Sequence, residues 1–161
     1  MLWKHGQAGA RSHGKVRVMR LLALDVGERR VGVAVSDPTG TIARPLHALE
    51  RASKAEDFSA IAALVDAYDA EAVIVGQPLS LDGYVGPQAR RVARYADSLA
   101  ECLEVPVIPW DERFSTARAD EILRETRGEQ DKRRARADGE IDAIAAAVIL
   151  QSYLDSRRDT D

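Results

Sequence analysis

The chain predicts an α/β domain built on a mixed five-stranded sheet, with three antiparallel strands, two parallel ones and helices on both faces. Three observations lead there. Strand-like apolar runs open the folded part and are joined by short loops; further strands then alternate with segments of helical periodicity; and 161 residues suit one domain with a full core. The run Leu21-Leu22-Ala23-Leu24, closed by Asp25 and the turn signal Val26-Gly27, reads as a buried strand over 20–25. Val31, Val33 and Val35 alternate as its neighbour over 31–36, and Asp37-Pro38-Thr39-Gly40 turns the chain into a third strand near 42–49. Strands joined this closely pair antiparallel. Phe58, Ile61, Ala62, Leu64 and Val65 repeat at helical spacing over 54–68. A short buried strand over 72–75 follows, then a helix over 87–103 with Pro87 in its first turn and a strand over 105–110. Helices over 116–127 and 139–155 close the order βββαβαβαα, in which an antiparallel meander feeds parallel crossovers.

Apolar content of 45% and charged content of 30% are those of a soluble globular protein. The formal charge of -3 is uneven: residues 1–18 carry Lys4, Arg11, Lys15 and Arg17 with no acid, leaving 19 bases against 26 acids, or -7, in the rest. The body is therefore acidic, so attraction for a polyanion has to come from local patches. Residues 1–18 read as a disordered basic leader, or Met19 as the true start, and 157–161 as a polar tail. Cys102 is the one cysteine, which excludes an intrachain disulfide and a cysteine-based zinc cluster and fits the reducing cytoplasm. No apolar stretch reaches membrane-spanning length, and the leader lacks the apolar segment of a signal peptide.

Polar groups of interest collect at strand ends, where α/β sheets bind ligands. Asp25 ends the first strand, Gly76-Gln77-Pro78 the fourth and Asp111-Glu112-Arg113 the fifth. A charge at the mouth of a buried strand is costly unless balanced, and a divalent metal would balance it. If the fifth strand continues, Asp111 and Glu112 point to opposite faces and only one enters the site. Asp142 lies three and seven residues before Ala145 and Ile149 on the packed face of the last helix. It either completes a metal site or serves the helix dipole, a contribution of roughly 0.3–1 kcal/mol.

The segments Leu24-Asp25-Val26-Gly27, Arg30-Val31-Gly32-Val33-Ala34-Val35-Ser36-Asp37, Val75-Gly76-Gln77-Pro78-Leu79, Asp82-Gly83, Gly86-Pro87-Gln88-Ala89, Trp110-Asp111-Glu112-Arg113-Phe114-Ser115-Thr116 and the helix from Ile141 to Leu154 together resemble the YqgF family, also called RuvX. The resemblance spans about residues 20–155; each motif alone is weak, and their order and spacing are specific. It implies a ribonuclease H-like fold, similar in outline to RuvC-type Holliday junction resolvases, over 19–156. It implies a metal-dependent endonuclease that processes the 5′ end of precursor 16S ribosomal RNA or, alternatively, resolves Holliday junctions. Residue by residue, Asp25 matches the family's first-strand acid, Glu112 the acid of its Asp-Glu-Arg motif and Asp142 the acid opening its last helix. These are the expected catalytic residues and metal ligands. Glu28 and Gln77 depart from the family pattern beside the site.

Carboxylates are hard ligands suited to two Mg2+ or Mn2+ ions, which serve in-line attack on a phosphodiester. A 5′-phosphate and a 3′-hydroxyl are the products the resemblance implies. His5 and His13 lie in the leader and His47 on a strand away from the motifs, so a histidine base is unsupported. The stretch from Arg127 to Arg136 has five bases and two acids, and Lys132, Arg133, Arg134 and Arg136 are candidate phosphate contacts. Arg30 and Arg113 are rivals for that role, unless each pairs with a neighbouring acid. Tyr84 is either a base-stacking aromatic or the exposed tip of a loop. An actin-like ATPase reading fails because there is no second Asp-x-Gly repeat and no room for a second domain. A non-catalytic RNA-binding role is the main non-enzyme alternative. RNA and branched DNA are not distinguished by the sequence, and a four-way junction calls for a wide basic face or a homodimer.

Overall fold

The computed structural model describes residues 20–114, 119, 121–122, 124–125 and 139–159. Strands β1 (Leu21–Val26), β2 (Arg30–Ser36) and β3 (Ala43–Glu50) come first, then helix α1 (Lys54–Ala67), strand β4 (Ala72–Gln77), helix α2 (Pro87–Cys102), strand β5 (Val107–Asp111) and helix α3 (Gly139–Asp159). The sheet order is β3-β2-β1-β4-β5. β1 pairs antiparallel with β2 from Leu22↔Val35 to Val26↔Val31 and parallel with β4, while β2–β3 is antiparallel and β4–β5 parallel. This is the mixed sheet that the sequence predicts.

The central strand β1 is covered on both faces, which is why it reads as a continuous apolar run. Leu22, Leu24 and Val26 pack with Phe58, Ile61 and Val65 of α1 and with Val92 and Leu99 of α2. Leu21 and Ala23, which alternate with them, face Ala146, Ala147, Leu150 and Leu154 of α3. Each fully buried leucine contributes about 1.5–3 kcal/mol. Both prolines within strands lie in the edge strands, where a missing N–H costs least: Pro45 in β3, beside a register shift between Val33 and Ala34 of β2, and Pro109 in β5. Pro106 has no N–H for the ladder, and β5 begins after it at Val107 rather than at Val105.

Helix ends follow local chemistry. The Ser53 side chain accepts from the Glu56 amide at 3.1 Å to cap α1, and Pro87 opens α2. α3 runs to Asp159, past the expected 155, with Arg157 and Arg158 in its last turn and an Arg158–Asp155 ion pair. Of the helix expected over 116–127, the described positions 119, 121, 122, 124 and 125 are helical. The rest of it, the 1–18 leader and the basic residues 132–136 lie outside the described residues.

α3 lies unusually close to the sheet because the facing residues are small. A Cβ on Gly32 of β2 would stand 1.9 Å from the Asp142 carbonyl oxygen, so the first turn of α3 rests on β2 backbone to backbone. From the same helix the buried Gln151 accepts from the Ala43 amide at 2.9 Å and donates to the Thr41 carbonyl at 3.0 Å, holding the start of β3.

Because backbone cannot give way as a flexible side chain can, Gly32→Ala is expected to destabilise the fold by about 1–3 kcal/mol or more. Urea unfolding tests this; a midpoint equal to that of the parent would show that α3 does not rest on this position.

Candidate active site

Asp25 is the fifth residue of β1, on the side that faces α3. It lines a cleft with Glu112, at the end of β5, and with Ala145 and Ile149 of α3. Trp110 and Phe114 wall the opening, their rings 5.3 Å apart. Asp142, in the first turn of α3, does not line the cleft but stands near enough for its charge to bear on Asp25. Three acids distant in sequence thus reach the carboxyl end of the central strands.

Glu112 owes its place to a missing side chain. A Cβ on Gly76 of β4 would lie 2.7 Å from Glu112 Oε1 and 2.4 Å from Ile149 Cδ1, so only glycine leaves room for both. The Glu112 amide donates to the Gln77 carbonyl at 3.1 Å, which ties the turn after β5 to the end of β4. Although much of Glu112 is open to solvent, its carboxyl oxygen is tucked over Gly76 against Ile149. Burial pushes this carboxyl up to about 7, reinforced by the charges of Asp25 and Asp111. Burial likewise raises Asp25 to about 6, with Asp142 adding to the rise.

Asp111 and Glu112 do part company, and Glu112 is the one that enters. Asp111 turns to Arg113, which donates through Nε at 3.0 Å and through Nη2 at 2.5 Å; these bonds hold the Asp111 carboxyl below its ordinary range. Arg113 also reaches the Leu81 carbonyl at 3.3 Å, bracing the loop before α2. Arg30 donates through Nε to Asp142 Oδ2 at 3.1 Å. Arg30 and Arg113, the rival candidates for phosphate contact, therefore each already hold an acid. Glu28 is exposed and sits 3.8 Å from Arg91, Tyr84 is exposed on a turn held by Asp82, and His47 is exposed on β3.

Among the described residues, no three acids or other ligating side chains are drawn tightly enough around one point to form a closed metal cage. The donor set still suits a hard divalent cation. Two carboxyls are raised by burial and by neighbouring acids, Asp25 by Asp142 and Glu112 by Asp25 and Asp111, a penalty that a cation removes. One supporting residue has no obvious signal in the sequence. Ser152 of α3 donates to the Phe114 carbonyl and accepts from Trp110 Nε1 at 3.0 Å, locking the β5 end that carries Glu112. A polar residue on the packed face of an apolar helix is the only hint.

Carboxylates at the carboxyl end of a ribonuclease H-like sheet suit phosphoryl-transfer chemistry, and the family and relatives make the class a nuclease. The chain belongs to the RuvX family, whose model, described as "Holliday junction resolvase", matches residues 19–156. A relative from Thermoanaerobacter pseudethanolicus, named "Putative pre-16S rRNA nuclease", is 41% identical over 140 residues, covering 87% of this chain and 99% of that one. One of the same name from Syntrophus aciditrophicus is 46% identical over 138 residues, covering 86% and 89%. Among solved structures, RuvC of T. thermophilus in complex with a Holliday junction substrate superposes with a TM-score of 0.56 at 19% identity, covering 88% of this chain and 97% of that one. No described helix is long and apolar enough to cross a membrane.

The folded protein holds the Asp25 and Glu112 protons more tightly than the unfolded chain, whose carboxyls titrate near 3.8 and 4.5. Ionisation in the folded state therefore costs stability, and the metal-free protein should lose stability as pH rises from about 4 to about 7. Asp25→Asn should be the more stable protein at pH 8 by on the order of 2 kcal/mol and no more stable at pH 4. Urea unfolding in EDTA at both pH values measures this, and equal stabilities at pH 8 would refute the unfavourable burial of this charge.

Proposed function

We propose that this nuclease is a divalent-metal-dependent endonuclease that processes the 5′ end of precursor 16S ribosomal RNA, with Asp25, Glu112 and Asp142 as catalytic residues and metal ligands. The observation that carries the proposal is the convergence of three carboxylates from β1, the β5 end and α3, two of them resisting ionisation without a counter-cation. The names of the relatives support the substrate. When bound, a pair of Mg2+ or Mn2+ ions would activate water and stabilise the leaving oxygen of an in-line displacement.

The protein's own share is positioning. Asp25 is fixed by the central strand and Glu112 by Gly76 and the Ser152 lock, while Arg30 orients Asp142 and offsets its charge. Trp110, Phe114 and Ile149 keep one side of the cleft apolar, which strengthens attraction between carboxylates and a cation. Lys132, Arg133, Arg134 and Arg136, just before α3 in sequence, would meet substrate phosphates. The exposed, unpaired Cys102 suits a reducing cytoplasm.

The description of the family model favours a second reading, resolution of four-way DNA junctions. It asks in addition for a homodimer that places two sites on one symmetric junction.

Precursor 16S RNA and a synthetic four-way DNA junction, offered side by side with Mg2+ or Mn2+, separate the two readings. Asp25→Asn should lower cleavage at least about a thousandfold, equivalent to about 4 kcal/mol of barrier, while sparing binding. Mn2+ should raise the melting temperature of the parent and not of the variant. Cleavage of neither substrate by the parent would leave a binding protein, and equal cleavage by Asp25→Asn would remove the carboxylate mechanism.

A further inference from the structure

A second cleft, of about 220 Å³, opens at the same end of the sheet on the face that carries α1 and α2. Gly27 and Glu28 of the β1–β2 turn form one wall, Arg51 and Lys54 another, and Arg91 and Arg94 of α2 a third. Four cations thus line a cleft with two acids beside them, Glu28 on the wall and the buried Asp57 against Arg51, in a protein whose body is acidic. The cationic excess repels itself unless a further anion sits among these side chains.

Arg51 is built in rather than dangling. Its Nη1 donates to the Gly27 carbonyl at 2.9 Å, its Nε lies 3.6 Å from the buried Asp57 and its guanidinium stacks 5.0 Å from the Tyr95 ring centroid. Asp57 is itself held by the Ala52 amide and the Tyr95 hydroxyl, so the floor of the cleft is rigid. Arg91 is engaged only loosely, 3.8 Å from the exposed Glu28. Lys54 and Arg94 are exposed and make no ion pair among the described residues. Arg91 and Arg94, three apart, share a helix face, and α1 and α2 both begin at this end of the sheet and add the positive ends of their dipoles.

Position tells which anion fits. Asp25 and Val26 are consecutive in β1 and point to opposite sides of the sheet; the first lines the carboxylate cleft and the second the basic one. A chain of phosphates passing over the end of β1 meets both. We propose that the cleft of Arg51, Lys54, Arg91 and Arg94 holds a backbone phosphate of the polynucleotide substrate, away from the bond that is cut. The identity of the anion rests on the nuclease reading above. Its binding does not depend on the carboxylates or on a metal.

The test measures fluorescence anisotropy in EDTA with a 5′-fluorescein four-way DNA junction and with an RNA stem-loop of equal arm length. Lys54→Glu/Arg94→Glu should weaken binding of the preferred probe about tenfold at low salt and reduce the slope of log affinity against log salt by about 2. The milder Lys54→Gln/Arg94→Gln should shift both in the same direction and guards against a folding defect. Arg20→Glu/Arg44→Glu makes the same charge change at the opposite end of the sheet and should lose less than about threefold. Unchanged binding by the Lys54/Arg94 variants, an equal loss in the Arg20/Arg44 control, or no binding of either probe by the parent would overturn the cleft. Metal-dependent cleavage is read separately with Asp25→Asn. Loss of the cleft leaves the nuclease reading standing, whereas a parent that binds through the cleft but cuts nothing keeps the cleft and removes the nuclease reading.

Discussion

α3 lies against the sheet at two points where a side chain is missing, and the site hangs on that approach. At Gly32 the helix backbone comes within 1.9 Å of where a Cβ would stand, and at Gly76 Ile149 comes within 2.4 Å. The first contact sets the height of Asp142 above β2. The second leaves space for the Glu112 carboxyl beside the helix. From there the helix reaches outward to both edges: Gln151 binds the start of β3, and Ser152 binds the Trp110 and Phe114 segment at β5. One helix therefore spans β3, β2, β4 and β5, so the contacts that stabilise the fold are those that place two of the three acids. Catalytic geometry at such a site is inherited from the core rather than added by loops.

That placement has an electrostatic cost the protein does not remove. Arg30 stands with Asp142 and Arg113 with Asp111, while Asp25 and Glu112 are left raised by burial and by the charges of neighbouring acids. Turning Arg113 outward instead of into the cleft keeps a guanidinium from filling the space a divalent cation would take. A structural ion pair lowers a carboxyl, as at Asp111 outside the cleft, whereas Asp25 and Glu112 within it stay raised. Destabilisation confined to residues with chemical work to do is the usual compromise between stability and activity.

Most of this architecture is legible in one sequence because period and position suffice for it. The Val31, Val33, Val35 alternation, the apolar run before Asp25 and the helical spacing over 54–68 each follow from a face that must be buried. Asp25, Glu112 and Asp142 stand out as candidates because acids at the end of a buried strand or on a packed helix face contradict the local pattern. The roles of Gly32 and Gly76 are not legible, since a close approach depends on what crosses the glycine. Pairing is equally hidden: that Arg30 takes Asp142 and Arg113 takes Asp111 depends on how α3 crosses β2 and how the chain turns after β5. The basic cleft is hidden for the same reason. Arg51, Lys54, Arg91 and Arg94 sit in two segments that look like ordinary solvated faces until the crossovers set them side by side.

The two clefts give the end of β1 opposite polarity on its two sides, and this bears on how an acidic protein approaches a polyanion. The α3 side, with its carboxyls ionised, repels a phosphate at close range, and salt screens that repulsion little because the acids are partly buried. The α1–α2 side attracts a phosphate with no cofactor present. First contact therefore belongs to the basic side, and the neighbouring length of backbone can settle over Asp25 once the charge there is balanced. On the proposed function, grip and cutting would be separate tasks of one sheet end, set on the two sides to which Asp25 and Val26 of β1 point.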